Sequence, residues 1–551
     1  MAWKIDLWKA YDCIDWKFLI SMMHLLKFPS KYIAWMQMCI ESPSYSIMIN
    51  GEMSDFFEGR RGIRQGDPLS PFLFTIAMEC LSRMLQGLNK EDGFYYHPKC
   101  HRIKLSHILF ADDLILFSSG RKSAVGAIKK VVLQFLSCSG LSINLHKSHL
   151  FTGGMNSSKV KWVEELIGTR VSPLPVRYLG LPLTSRSLSR KDCDTLIEKI
   201  TTRLQCWSNR LLSRAGRRVL VSSVLQAMIF SWARVCILPK AVIHAVNASC
   251  ASFLWNGCCG RRGGHLVKWE DVCKRKEEGG LGLKDLDRMN MALVTNQVWG
   301  KFLGRSSLWI DWLDKYWNKG KHWWEDEVKA KSSWVLKRLI QCKETGLRCV
   351  TIVNSAVSWR GPGGGFTVND IYQMLSDPKE HVEWYKLVWN DFNAPRDSFH
   401  AWLTVQNKLL TRDRLCLWGI SISRSCTLCE SGEESRDHLF FECRFTQEVW
   451  QKVLSFLLIT PSFYRWCSLI PWFKALPQSR LKTKMAAAAI TRVMNGVWTA
   501  RNKKIFRGES ISTAMIIQET FWYLKMKIGA IQKEDCPCAD WPWMRDMGIF
   551  D

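Results

Sequence analysis

Phe110-Ala111-Asp112-Asp113-Leu114 sets two adjacent acids between apolar runs, Leu105 to Phe110 on one side and Leu114 to Phe117 on the other. Burying both flanks as strands leaves the acids at the turn. Two carboxylates held together at the lip of a sheet repel each other, and a divalent cation is the usual means of keeping both ionised. An acidic hairpin tip is the alternative, because Asp favours turns in any protein. The pentapeptide by itself leaves both readings open.

The wider composition bears on the choice. A chain of 551 residues with 47% hydrophobic content is long enough for two to four domains with their own cores. A net charge of +27 exceeds what solubility needs and points to a polyanionic partner, with nucleic acid first. The 21 cysteines are irregularly spaced and odd in number, unlike a secreted disulfide framework. A reducing, intracellular setting, nucleus or cytoplasm, is therefore expected. The most apolar stretch, 219 to 239, carries Ser222, Ser223, Gln226, Ser231 and Arg234, which suits a buried helix rather than a membrane span.

At the start of the chain, Trp3-Lys4-Ile5-Asp6-Leu7 is a short strand signal that places Asp6 at a strand end. Asp12 and Asp15 suit a helix start, with Phe18, Leu19, Met22, Met23 and Leu26 at the helical period behind them. A second helical pattern begins at Ser30, and Asn50-Gly51 between extended runs predicts a tight hairpin. The loop Gly59-Arg60-Arg61-Gly62-Ile63-Arg64-Gln65-Gly66-Asp67-Pro68-Leu69-Ser70-Pro71 precedes a helix. Its glycines permit close backbone approach to a ligand and its arginines suit phosphates.

The order of these pieces carries a resemblance. Lys4-Ile5-Asp6-Leu7 with Lys9-Ala10-Tyr11-Asp12, Arg64 to Pro71, Phe110 to Asp113, Gly140-Leu141-Ser142-Ile143-Asn144 with Lys147-Ser148, and Tyr178-Leu179-Gly180-Leu181-Pro182-Leu183 occur in the sequence in which they appear in reverse transcriptases of plant LINE-type non-LTR retrotransposons. The chain resembles that family over nearly its whole length.

The resemblance implies an RNA-directed DNA polymerase taking an RNA template, a DNA primer and dNTPs. It also implies that Asp6, Asp112 and Asp113 form the acidic cluster for two Mg²⁺ ions. Tyr11 would be a steric gate against a ribose 2′-hydroxyl, Arg64, Gln65 and Gly66 would contact template and nucleotide, and Lys147 would lie near the leaving phosphates. Only five residues precede Asp6, so the family's fingers subdomain and endonuclease find no counterpart. A truncated copy with weakened polymerase activity is expected, the alternative being an inactive nucleic-acid-binding remnant.

Past residue 186 the pattern turns helical and basic, with Arg210, Arg214, Arg217 and Arg218 clustered where two helical stretches meet; they could lie along the phosphates of a duplex. Trp299, Trp309, Trp312, Trp317, Trp323, Trp324 and Trp334 recur at near-helical spacing, more in keeping with core than with base stacking. Gly361-Pro362-Gly363-Gly364-Gly365 is the clearest linker signal. Cys426-x2-Cys429-x8-His438-x4-Cys443 then offers three thiolates and an imidazole, the tetrahedral set of one structural Zn²⁺. The order Cys, Cys, His, Cys with His438-Leu-Phe-Phe-x-Cys443 and Trp450 also resembles the zinc-binding domain that follows the polymerase in plant LINE proteins. Cys536 and Cys538 have no nearby partners in the sequence.

The fold class implied is α+β. It comprises a right-hand polymerase palm of antiparallel sheet plus helices over 1–185 with the fingers missing, and a helical thumb over 186–260. A connection over 261–375 and a small zinc-binding helical domain with a basic C-terminal helix over 376–551 complete it.

Overall fold

The alternation in Trp3-Lys4-Ile5-Asp6 reappears as burial in strand β1 (Ala2–Asp6): Trp3 and Ile5 are buried while Lys4 and Asp6 are half-buried on the opposite face. The computed structural model describes residues 1–208, 210–258, 264–300, 305–318, 334–353, 356–359, 366–376, 380–460, 462–463, 465–476, 480–530 and 543. The glycine-rich stretch 361–365, Trp323, Trp324, Cys536 and Cys538 lie outside these. The chain forms two compact units, Met1–Ser187 with Val298–Gln341 and Leu188–Gln297 with Cys342–Asp551.

In the first unit β1 is followed by α1 (Trp16–Leu25), whose first turn is capped where Asp15 accepts the Phe18 amide at 2.8 Å. Helix α2 (Ser30–Glu41) starts at the predicted serine. The hairpin β2 (Met48–Ile49) and β3 (Glu52–Met53) turns on Asn50 and Gly51, both with positive φ, the backbone that a two-residue turn of this hand demands. There follow α3 (Ser70–Gln86), β4 (His107–Phe110), β5 (Asp113–Phe117), α4 (Lys122–Ser139) and β6 (His149–Phe151), then a hairpin of β7 (Val176–Tyr178) and β8 (Leu181–Leu183).

The main sheet is antiparallel in the order β4-β5-β1-β6. Its buried face (Trp3, Ile5, Leu114, Leu116 and Leu150) packs on Leu19 and Met23 of α1, Phe74 and Leu81 of α3, and Ile128 and Phe135 of α4. Burying a Leu, Ile or Phe side chain stabilises by about 1.5–3 kcal/mol, so the rigidity of this sheet comes from its covered face. In the second piece of this unit Trp299 is core at 1% exposure, as the near-helical spacing predicts. Trp309, Trp312 and Tyr316 instead form a stacked surface ladder at 5.7 Å intervals, fixed where the Tyr316 hydroxyl accepts the Arg102 amide.

The second unit is almost wholly helical. Helices α5 (Asp194–Ser208), α6 (Arg214–Leu220), α7 (Gln226–Ala233) and α8 (Lys240–Asn256) pack with α9 (Pro395–Val405), α10 (Arg444–Phe456), α11 (Arg480–Arg507) and α12 (Thr513–Gly529). Helix α11 runs through the middle, with Met485 to Ile490, Val493, Met494 and Val497 buried; small alanines let α9 and α12 approach closely. Among the described residues no helix is long and apolar enough to cross a membrane.

Candidate functional site

The acidic turn forms as its flanks predict. Phe110 pairs with Asp113, which leaves Ala111 and Asp112 as the two turn residues, with Ala111 in the left-handed region at φ 50°. That conformation costs a residue with a Cβ of the order of 1 kcal/mol or more. On the other side of β5, Asp113 stands opposite Asp6 in register. Cross-strand partners share a face, so these two carboxylates lie side by side and Asp112 projects from the exposed tip. Lys4, two residues before Asp6 on the same face, pairs with Asp113 at 3.3 Å.

Three other stretches converge on this edge. Asp6 donates its amide to Ser148 Oγ at 3.1 Å, and its carbonyl accepts the Asn144 amide at 2.8 Å. That clasp sets exposed Lys147 beside the strand end. The glycine-rich loop docks on the residues after β1: Gly62 donates to Ile14 O and Ile63 to Tyr11 O. Gly62 has φ +85°, and a Cβ there would lie 2.6 Å from the Asp12 carbonyl, so glycine is required. Docking brings Gln65 to Asp12 at 3.4 Å and lays Arg64 over the Tyr45 ring at 5.5 Å, while Gly66 stays exposed. Tyr11 is clamped by stacking on Phe74 at 4.9 Å. The β7–β8 hairpin closes the group, its Arg177 carbonyl accepting from Lys4 Nζ at 3.2 Å. Burial, and then the charge of Asp113, push the Tyr178 hydroxyl above its usual range.

The second cluster lies in the helical unit. Sγ of Cys426, Cys429 and Cys443 and a ring nitrogen of His438 fall within 4.8 Å of one another. Cys426 and Cys443 are 3.9 Å apart, and Cys429 lies 3.3 Å from His438 Nε2. A tetrahedron with metal–sulfur bonds of about 2.3 Å has edges of about 3.8 Å, so the donor set fits zinc in kind and in size.

Local structure explains the spacing. His438–Glu442 is a π-helical turn in which Cys443 donates its amide to the His438 carbonyl at 2.7 Å, and the wider turn brings residue i+5 back over residue i. The Trp450 indole donates to the Phe440 carbonyl at 2.7 Å and Thr446 to the Leu439 carbonyl at 2.8 Å, satisfying groups of that turn. Gly432, at φ +78°, gives His438 its room, since a Cβ there would lie 3.0 Å from the ring. The hydrogen bond shared with Cys443 pulls Cys426 down to about 5, and the proton so held pushes Cys443 up. A bound cation would take the place of that proton.

Among the described residues this is the one set of three or more such donors gathered within 4.8 Å. The three aspartates are placed at one edge without being drawn into such a knot. Sequence reading missed two features beside these sites: Lys4 as the counter-charge of Asp113, and Glu434 behind the thiolates. The latter is fully buried and pairs with Arg501 of α11 at 2.7 Å. It also accepts the Arg412 amide at 3.0 Å and the Thr427 hydroxyl at 3.2 Å. Two charged residues far apart in sequence give no local signal of such a pair. Arg218, which the sequence groups with the phosphate-facing arginines, spends its guanidinium on the Leu281 carbonyl at 2.9 and 3.2 Å.

Comparison with known proteins follows the two clusters. Residues 1–183 match the family described as reverse transcriptase (RNA-dependent DNA polymerase), and residues 366–450 match zinc-binding in reverse transcriptase. Residues 1–183 thus carry reverse transcriptase ancestry. The chain is 21% identical over 389 residues to a putative ribonuclease H protein of Arabidopsis thaliana, covering 53% of the chain and 63% of that protein. It is 32% identical over 151 residues to a Pol polyprotein from a type-2 retrotransposable element of Drosophila melanogaster, covering 27% and 13%. It is also 25% identical over 266 residues to an uncharacterized transposon protein of Xenopus laevis, covering 46% and 19%. The chain spans less than two thirds of the length of each. The resemblance to non-LTR retrotransposon reverse transcriptases is borne out, as is the mixed α+β class. The Cys/His cluster and the matching family together suggest zinc binding.

Proposed function

We propose that the first unit is the palm of an RNA-directed DNA polymerase, joining a dNTP to a primer 3′-hydroxyl on an RNA template. The observation that carries this reading is convergence. Five stretches separated by up to about 170 residues meet at the edge where Asp6 and Asp113 face each other. Asp112, open to solvent, and half-buried Asp6 offer hard oxygen donors, the donor type that Mg²⁺ takes, with Asp113 beside them. Two Mg²⁺ ions held there would supply activation of the 3′-hydroxyl and stabilisation of the departing pyrophosphate.

The chain's own residues supply orientation. Lys4 balances the charge of Asp113, and the Ser148–Asn144 clasp fixes the height of Asp6 on its strand. Tyr11, held flat on Phe74, is the barrier to a ribose 2′-hydroxyl. Gln65, Gly66 and Arg64 present an exposed polar loop to template and nucleotide, and Lys147 offers a cation to the leaving phosphates. In the second unit one Zn²⁺ held by Cys426, Cys429, His438 and Cys443 leaves no ligand position open, so its work is folding. Helices α5 to α8 take the part of a thumb.

Primer extension on an RNA template with Mg²⁺ tests the reading. The account expects synthesis that Asp112→Asn reduces about a thousandfold, the equivalent of about 4 kcal/mol in the barrier. Synthesis that survives Asp112→Asn would remove these acids from the reaction. No synthesis from the chain, with RNA still retained, would leave a nucleic-acid-binding protein without polymerase activity.

A further inference from the structure

The helical unit contains a cleft of about 850 Å³ that neither the carboxylates nor the thiolates use. Four stretches distant in sequence line it: residues 208–217 around the start of α6, the end of α8 at 256–258, the first turns of α9, and the last turns of α11. Arg210, Arg214, Arg217, Arg396, Lys503 and Arg507 are among its lining residues, and no carboxylate is among those described.

So many cations around one cleft destabilise each other. Burial, and then the neighbouring Arg217, lower the Arg214 pKa, and burial lowers that of Arg217. His400, also on the wall, is pulled down to about 4 by burial and then by Arg214 and Arg396, so it is neutral at physiological pH. The counter-charge at its rim is Glu509, which reaches Lys503 at 3.7 Å and Arg507 at 4.0 Å; pairs so long and exposed contribute little. The cleft also presents apolar faces to solvent, Phe506 at 77% exposure and Leu211 with its whole side chain exposed.

Helical geometry gives the wall its direction. Trp498, Thr499, Asn502, Lys503, Phe506 and Arg507 recur at three and four residues and so form one stripe of α11. Arg501 and Lys504 leave that stripe and are taken by the zinc-loop residues Glu434 and Glu430, at 2.7 and 2.8 Å. The thiolate loop thus holds α11 with its other basic stripe turned to the cleft.

We propose that this cleft binds one unpaired nucleic-acid strand, its phosphates on the arginines and lysine and a base on Phe506. A duplex hides the base faces that an exposed phenylalanine would stack on, whereas a single strand offers both its phosphates and its bases. The site is separate from polymerase chemistry and does not depend on the palm reading.

The test is fluorescence anisotropy of the full chain, zinc present, with a short labelled oligouridylate over a range of salt concentrations. Combined Arg210→Glu, Arg396→Glu and Arg507→Glu changes only exposed side chains. The expected result is an affinity loss of at least about tenfold and a salt slope smaller by about 2, because each phosphate neutralised on a single strand accounts for about 0.7 of the slope. A control of equal charge, combined Arg234→Glu, Lys452→Glu and Lys525→Glu, also on exposed side chains, should keep the wild-type slope. Phe506→Ala, which removes an exposed ring without altering charge, should weaken binding several-fold at constant slope, and it keeps the proposal testable if the triple variant fails to fold. Equal slopes in the two triple variants, or unchanged affinity in Phe506→Ala, would overturn the proposal. So would a duplex that binds as tightly as the strand, or inorganic phosphate that displaces the strand at comparable concentration, which would indicate a simple anion site.

Discussion

The aspartate edge and the thiolate knot are both made of metal-binding residue types, and they are built in opposite ways. Asp112 is exposed on a strained turn, Asp6 and Asp113 are half-buried, and a lysine balances the charge. Cys426 and Cys443 are buried, the four donors already touch, and glycine, π turn and indole each remove a degree of freedom. The contrast follows from chemistry. A site that exchanges substrates must leave ligand positions and water access open, whereas a site that stabilises a fold gains most when its own side chains fill every position. Removing a donor from the edge should therefore cost activity, and removing one from the knot should cost structure.

The largest expected effect is on the knot. Structural zinc contributes about 10 kcal/mol or more to small modules, so chelation should make the 405–456 region labile to protease while 1–187 stays resistant. Zinc analysis should read one ion per chain before treatment. A chain without zinc, or one whose cleavage pattern ignores chelation, breaks the comparison on that side.

A smaller effect tests how far the knot reaches. Glu434→Gln leaves Arg501 charged, buried and unpaired, which should cost about 3–5 kcal/mol in urea unfolding. Double replacement of Glu434 and Arg501 by apolar residues should recover much of that loss. A single variant as stable as wild type would show α11 to be held by its apolar packing alone.

The smallest effect depends on pH. His400 sits near 4 in the folded chain, against about 6.5 when unfolded. As pH falls the unfolded chain takes the proton first. The stability associated with a neutral His400 is thus complete above pH 6.5 and is lost toward pH 4, with about 2 kcal/mol gone by pH 5. His400→Phe should flatten urea-unfolding stability between pH 6.5 and 5 relative to wild type; parallel curves would contradict the burial of that ring.

What was legible in the sequence is what local chemistry dictates. Two acids between apolar runs gave the β4–β5 turn, Asp15 gave the cap of α1, Asn50-Gly51 gave a hairpin, and the Cys/His spacing gave the knot. Each is a short-range pattern with one strongly favoured geometry. Contacts between distant residues left no such trace. Nothing near Glu434 points to Arg501, nothing near Lys4 points to Asp113, and the arginine cluster at 210–218 does not reveal that Arg218 serves a backbone carbonyl. The grouping of 188–297 with 342–551 in one unit is equally non-local, because it depends on how α11 packs among helices far from it in sequence.

Differential scanning calorimetry of the wild type, Asp112→Asn and Cys426→Ser in zinc-containing buffer tests the division of labour most directly. The account predicts that Asp112→Asn melts within about 2 °C of wild type, as an exposed turn substitution should, while Cys426→Ser loses the zinc-dependent transition. An Asp112→Asn chain destabilised as severely as Cys426→Ser, or a Cys426→Ser chain that melts like wild type, would contradict it.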